Sequence, residues 1–224
     1  MSYIVAENLV KKYGNGNATV TAIGGISFQV EAGEFIGVMG ESGSGKSTLL
    51  GVMGAMNAPT AGRLIVDDID VYHLSGEQRA DFRREFLGFI FQSFHLVPYL
   101  TVLENVMLPL AIVKAGKRKK RDMAGEALSQ VGLLDKANRL PGQISGGEKE
   151  RVAVARSIVN EPPVLLADEP TGNLDTKTSR EIMQLLQSLN AKGMTIIMVT
   201  HSHACAKYAR RILQVSDGML VTKN

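Results

Sequence analysis

Apolar positions along this chain fall into two patterns. Four short continuous runs read as strands buried on both faces: Phe35-Ile36-Gly37-Val38-Met39, Leu87-Gly88-Phe89-Ile90-Phe91, Val164-Leu165-Leu166-Ala167 and Thr195-Ile196-Ile197-Met198-Val199. Elsewhere the apolar positions take the helical period, as at Ile182, Leu185, Leu186 and Leu189, a stripe that closes near Gly193. Before the first buried run, Tyr3-Ile4-Val5, Ala18-Thr19-Val20-Thr21-Ala22 and Ile26-Ser27-Phe28-Gln29-Val30 predict half-buried strands, the first two parted by the turn Gly14-Asn15-Gly16-Asn17. Ile212-Leu213-Gln214-Val215 and Met219-Leu220-Val221 predict a closing hairpin around Asp217-Gly218.

Between Ser93 and about Asn160 the pattern is helical. Ser75 with Gln78, and Thr101 with Glu104, are spaced as capping boxes. Pro109 should break or kink the helix that Thr101 opens, and Asp122 to Val131 should close at a left-handed Gly132. The basic run Lys117-Arg118-Lys119-Lys120-Arg121 reads as a solvated junction before that helix; contact with anionic lipid headgroups is the alternative. Strands alternating with helices, interrupted once by a helical stretch, predict an α/β fold with a parallel core.

Composition changes this picture little. At 224 residues the chain suits one large domain. A single cysteine, Cys205, excludes an internal disulfide framework and fits a reducing cytosol. A net charge of +3 gives no case for nucleic acid as partner. The opening Met1 to Glu7 lacks the features of a signal peptide, and no segment approaches the ~20 apolar residues of a membrane helix. Work at a membrane is therefore expected to run through a partner.

The chemistry begins where the first buried strand ends. Gly40-Glu41-Ser42-Gly43-Ser44-Gly45-Lys46-Ser47-Thr48 fits the phosphate-binding pattern G-x-x-x-x-G-K-[ST], with a strand before it and the helix Leu49-Leu50-Gly51-Val52-Met53 after it. Glycines let successive N–H groups turn toward phosphate oxygens, and the helix start adds unpaired donors. Lys46 supplies charge for the β- and γ-phosphates, and the Ser47 hydroxyl is a ligand for Mg²⁺. A nucleoside triphosphate is the expected ligand.

Ligands gather at the carboxyl ends of strands in open α/β sheets, and the other buried runs end in suitable groups. Asp168 follows pure hydrocarbon, the setting of a carboxylate that holds Mg²⁺. Glu169, on the opposite side of an extended backbone, is placed to orient and deprotonate water. Gln92 offers both a donor and an acceptor to Mg²⁺ and water, though alone it would mean little. His201 can hydrogen-bond a γ-phosphate, or be an ordinary surface histidine. Tyr13, upstream of the loop, either stacks on a base or is a plain strand residue.

Ile144-Ser145-Gly146-Gly147-Glu148 opens another helix, with Ser145 and Glu148 spaced as a capping box. That leaves two consecutive glycines unexplained, each costing about 1 kcal/mol inside a helix. The Ser145 hydroxyl, Gly146 and Gly147 with the helix start together suggest a second anion site without a lysine, one that serves the nucleotide of another copy.

In order and spacing these segments resemble the ATP-binding-cassette (ABC) ATPases, essentially end to end. Gly40 to Thr48 resembles Walker A, Gln92 the Q-loop and Ile144 to Glu148 the signature, with Ile144 and Glu148 departing from the common L-S-G-G-Q. Asp168 and Glu169 resemble Walker B with its catalytic glutamate, Asn173-Leu174-Asp175 the D-loop, and His201 the switch histidine; Tyr13 matches the adenine-stacking aromatic. The resemblance implies a P-loop NTPase core with a mainly parallel sheet, an N-terminal antiparallel β-subdomain and a helical insert. A single domain over 1–224 is expected, its core drawn from 1–92 and 161–224 and its helical subdomain from 93–160.

It further implies an ATPase using ATP and Mg²⁺, a head-to-tail homodimer, and integral membrane permease subunits as partners at the cytoplasmic face of a bacterial inner membrane. The permease would dock in a groove beside the Q-loop, with Phe94, Leu96, Pro98, Tyr99 and Leu100 either lining it or filling the insert core. The segments 91–98 and 169–175 resemble the lipoprotein-releasing and macrolide-exporter branch. A cell-division-type ATPase, which transmits force to cell-wall enzymes without transport, shares these segments and is the alternative.

Overall fold

The computed structural model describes residues 2–14 and 18–221; Met1, the expected turn at Asn15-Gly16-Asn17 and the C-terminal 222–224 lie outside the described residues. In chain order the first elements are β1 (Ile4–Tyr13), β2 (Val20–Val30), β3 (Phe35–Met39), α1 (Lys46–Met53), β4 (Ala61–Val66), β5 (Ile69–Asp70), α2 (Gly76–Phe86) and β6 (Leu87–Ile90). A helical stretch follows, with α3 (Val102–Met107), α4 (Lys117–Gln130) and α5 (Gly146–Ile158). Then come β7 (Val164–Asp168), α6 (Thr176–Ala191), β8 (Thr195–Val199), α7 (His203–Ala206), β9 (Arg211–Ser216) and β10 (Met219–Val221).

Two sheets result. One is antiparallel, in the order β2-β1-β4-β5; the other runs β10-β9-β3-β8-β7-β6. Every pairing in the second is parallel except the β9–β10 hairpin, turned by Asp217 and Gly218, both at positive φ. The continuous apolar runs are buried on both faces, as their composition predicts. Ile36, Val38, Leu166 and Ile197 face α1 and the antiparallel sheet, packing with Leu49, Val52, Ile26 and Leu64. Their sequence neighbours Phe35, Leu165, Ile196 and Met198 face the other way, onto Val152 of α5 and Ile182 of α6. The parallel sheet is thus the middle layer, with its carboxyl ends exposed along one edge.

Several expected elements are longer or shorter than drawn from the sequence. The strands expected at Ala18–Ala22 and Ile26–Val30 are one strand, β2, which opens at Val20 and carries a bulge at Gly25, the extra residue between the pairs Leu9–Ile26 and Val10–Gly24. The strand expected at 87–91 leaves the ladder at Ile90, and the Phe91 ring stacks on Phe89 instead. Helix α4 starts at Lys117 rather than Asp122, so the basic run is its first turn and not a junction before it. At Pro109 the helix breaks: α3 stops at Met107 and the chain tightens into a 3₁₀ turn over Leu108–Ile112, which tolerates proline at its start. Both capping boxes form, at Ser75 with Gln78 and at Thr101 with Glu104, and Gly132 is left-handed with φ 71°.

Candidate functional site

At the carboxyl edge of the parallel sheet lies a cleft of about 670 Å³, lined by Ala22, Ser42, Gly43, Gly45, Lys46, Ser47, Thr48, Gln92, Asp168, Glu169 and His201. Residues separated by more than a hundred positions meet there because β3, β6, β7 and β8 all end at this edge.

The loop after β3 is built around its glycines. A Cβ on Gly40 would lie 2.1 Å from the Val215 carbonyl oxygen, and one on Gly45 would lie 2.3 Å from that of Ala22. Gly45, at φ 99°, is the N-cap of α1 and gives it no side-chain acceptor; no acidic residue stands in the first turn. The first N–H groups of α1 are therefore left for an external anion. The Lys46 ammonium lies across the loop, donating to the carbonyls of Gly40 at 2.9 Å and Glu41 at 2.6 Å. The Ser44 side chain is buried and outside the cleft lining, with Oγ unpartnered, and its N–H donates to the Glu41 carbonyl at 3.2 Å.

Opposite the loop, Ser47 Oγ donates to Asp168 Oδ1 at 3.3 Å. Burial raises the Asp168 carboxyl above its ordinary range, while the Ser47 hydrogen bond pulls it down. This hydroxyl–carboxylate pair is the hard-oxygen set that Mg²⁺ prefers. Among the described residues no group of three or more His, Cys, Asp and Glu is placed to hold a metal.

Glu169, expected on extended backbone, is not extended. It sits at φ 50°, because the β7 ladder ends with its N–H on the Val199 carbonyl and the next turn closes at once, Gly172 N–H to Glu169 O at 3.0 Å. Such a conformation costs of order 1–3 kcal/mol and is held by its surroundings. It brings Glu169 Oε1 within 2.8 Å of His201 Nδ1, so the two carboxyl-edge groups form a pair rather than acting apart. Gln92 is exposed on the cleft wall, and its carbonyl accepts from Asn173 Nδ2.

Tyr13 is not among the cleft-lining residues. It ends β1 opposite Val20, with the Lys11 ammonium 5.0 Å from its ring centroid. Asp175 caps α6, accepting from the N–H groups of Lys177 and Thr178 and from the Thr178 hydroxyl, which holds its carboxyl low. Leu174 packs against the helical core.

The segment 145–148 lies outside this cleft. Ser145 caps α5 reciprocally with Glu148, as its spacing predicts. Two features were not legible in sequence. A Cβ on Gly147 would lie 2.3 Å from Thr178 Cγ2, so this glycine is required by the approach of α6; Gly146 has no such constraint. The extra negative charge of Glu148 is met by Lys136, and that bond, with the Ser145 N–H, holds its carboxyl down to about 2.

The groove beside Gln92, about 340 Å³, is lined by Phe89, Phe91, His95, Pro109 and Arg156 among others. None of Phe94, Leu96, Pro98, Tyr99 and Leu100 lines it, and Leu96 instead packs on the helical core.

Comparison with known proteins agrees with this layout. The family profile described as ABC transporter matches residues 23–172. An uncharacterized ABC transporter ATP-binding protein of Methanocaldococcus jannaschii is 46% identical over 218 residues, covering 97% of each chain. The macrolide export ATP-binding/permease protein MacB of Syntrophobacter fumaroxidans is 43% identical over 98% of this chain, which spans 31% of that longer protein. The dimeric, post-hydrolysis structure of the ATP-binding cassette MJ0796 with ADP and Pi superposes with a TM-score of 0.89 at 39% identity, over 99% of this chain and 97% of that one. The α/β architecture anticipated from the sequence is the one seen in such cassettes. The chain belongs to the ABC transporter family, as an ATP-binding subunit with ATPase activity.

Proposed function

We propose that two copies of this chain close head to tail on two ATP molecules and thereby drive a membrane permease of the lipoprotein-release or macrolide-export type. The observation that carries this reading is the separation of the two helix starts. The loop that opens α1 lines the cleft, while Ser145 and Gly146 at the start of α5 lie outside it, so the α5 start can serve a nucleotide only from another copy. The dimeric MJ0796 cassette and the fused ATP-binding/permease protein MacB support it by likeness.

In this reading the backbone of 40–48 and Lys46 hold the phosphates, Ser47 and Asp168 hold Mg²⁺ with Gln92 beside them, and Glu169 takes a proton from water while His201 fixes its carboxylate. Magnesium supplies charge neutralisation at the β- and γ-phosphates. Ser145, Gly146, Gly147 and Glu148 face the partner's nucleotide, and Asn173, Leu174 and Asp175 lie along the contact between copies. Tyr13 stacks on adenine from the edge of β1. Segments 1–92 and 161–224 act as the core and 93–160 as a helical subdomain beside the permease, which sits in the groove next to Gln92 at the cytoplasmic face of the membrane.

The test is complementation. Ser145→Arg should bind ATP and not hydrolyse it; Lys46→Ala should fail at binding. Mixed, the two should recover hydrolysis, because one intact loop then meets one intact signature. Wild-type turnover by Ser145→Arg alone would overturn the reading.

A further inference from the structure

The basic run at the start of α4 is placed against local energetics. Lys117, Arg118 and Lys119 occupy the first helical turn, where the helix dipole disfavours cations; no acidic residue stands there, and the N-cap Gly116 offers no side-chain acceptor. With Lys114, Lys120 and Arg121 they make six basic residues over 114–121 with no acidic one among them. None of the six makes an ion pair among the described residues, and all but the half-buried Lys120 are exposed. The Glu104 carboxyl is lowered first by its hydrogen bonds with Thr101, with Arg121 and Lys117 adding to the effect.

Apolar surface adjoins this charge. In the 3₁₀ turn just before it, Leu108 is 40% and Ile112 66% exposed, and Lys120 Nζ donates to the Ala111 carbonyl at 3.0 Å, fixing the turn against α4. Pro109 of the same turn lines the groove beside Gln92. Exposed aliphatic side chains beside a dense cationic turn are the chemistry that recognises an anionic bilayer surface, the apolar groups entering the headgroup boundary and the cations meeting lipid phosphates.

We infer that the face formed by Leu108–Ile112 and Lys114–Arg121 docks on anionic lipid headgroups of the membrane that holds the permease. The inference rests on the proposed function for its orientation, since the same turn borders the proposed permease groove. Lipid contact needs no nucleotide, so the two readings fail separately.

The test is flotation of the full chain with vesicles of phosphatidylglycerol and phosphatidylcholine, against pure phosphatidylcholine, at low and high salt. Binding is expected only to the anionic vesicles, weakening as salt screens the charges. Lys117→Gln, Arg118→Gln and Lys119→Gln should each lower partitioning about five-fold. Ile112→Asp should lower it as well, and all four variants should keep wild-type ATP hydrolysis. Absence of binding to anionic vesicles, or binding that these substitutions leave unchanged, overturns the inference while leaving the ATPase reading intact.

Discussion

The Asn173 side-chain amide donates to the Gln92 carbonyl over 2.9 Å, joining the segment after β6 to the segment after β7. Gly172, the preceding residue, lies close to both neighbours; a Cβ on it would sit 3.6 Å from Glu169 Cβ and 3.8 Å from Gln92 Nε2. The three segments that carry Gln92, Glu169 and Asn173 are therefore held at one spacing. Asn173→Ala removes a neutral hydrogen bond and should slow ATP hydrolysis by up to about tenfold while leaving ATP affinity unchanged. Steady-state turnover together with nucleotide titration checks it, and a loss of affinity in place of turnover would show that the bond does not position Gln92.

Much of this was legible in sequence, for a physical reason. Parallel strands buried on both faces leave continuous apolar runs, and each such run ends at the same edge of the sheet. Gly40, Gln92, Asp168 and His201 could therefore be assigned to one edge without any contact being known. What could not be read were pairings between segments distant in sequence: Lys136 with Glu148, Gly147 with Thr178, and Asn173 with Gln92. The left-handed backbone of Glu169 was equally hidden, since no composition signal marks a glutamate before proline for that region. Asn105 gave no signal either, yet it is fully buried and bonds to Val97, Leu100 and Thr101, fixing the turn that precedes α3.

The Lys136–Glu148 pair has a pH signature. The Glu148 carboxyl is lowered from 4.5 to about 2, first by Lys136 and then by the Ser145 N–H. A depressed acid adds stability that is complete above the unfolded value and is lost as pH falls through the folded one. Lys136→Met should therefore lower Tm at pH 7, with the deficit shrinking as pH drops below about 4.5. Thermal melts at several pH values check this. Adding Glu148→Gln should recover most of the loss, and a deficit independent of pH would point to packing of the lysine stem instead.

Glu150 predicts the opposite slope. It is buried in α5 with Oε1 unpartnered, and desolvation raises its carboxyl to about 8 although Arg156 pulls the other way. Arg156 is itself committed to the carbonyls of Phe94 and His95. An acid raised in the folded state binds more protons there than in the unfolded chain, so stability falls as pH climbs from about 4.5 to about 8. Glu150→Gln removes that titration. The variant should melt higher than the parent at pH 8 and about equally near pH 4.5; an equal difference at both would mean that Glu150 does not titrate in this window.

The adjacent glycines at the start of α5 separate two causes for one sequence feature. A Cβ on Gly147 meets Thr178 Cγ2 at 2.3 Å, a distance that forces α5 and α6 apart, whereas one on Gly146 finds only Leu174 Cδ2 at 3.8 Å. Gly147→Ala should lower Tm, with an overpacking cost of about 1–3 kcal/mol. Combining it with Thr178→Ser deletes the colliding methyl and should restore most of that loss, because the serine keeps the hydroxyl that Asp175 accepts from. Gly146→Ala should melt like the parent and still lose hydrolysis if this glycine faces the partner's nucleotide. Melting curves and turnover on the same three proteins decide between packing and ligand contact at each position, and a Gly146→Ala variant with full turnover would remove Gly146 from the contact with the partner's nucleotide.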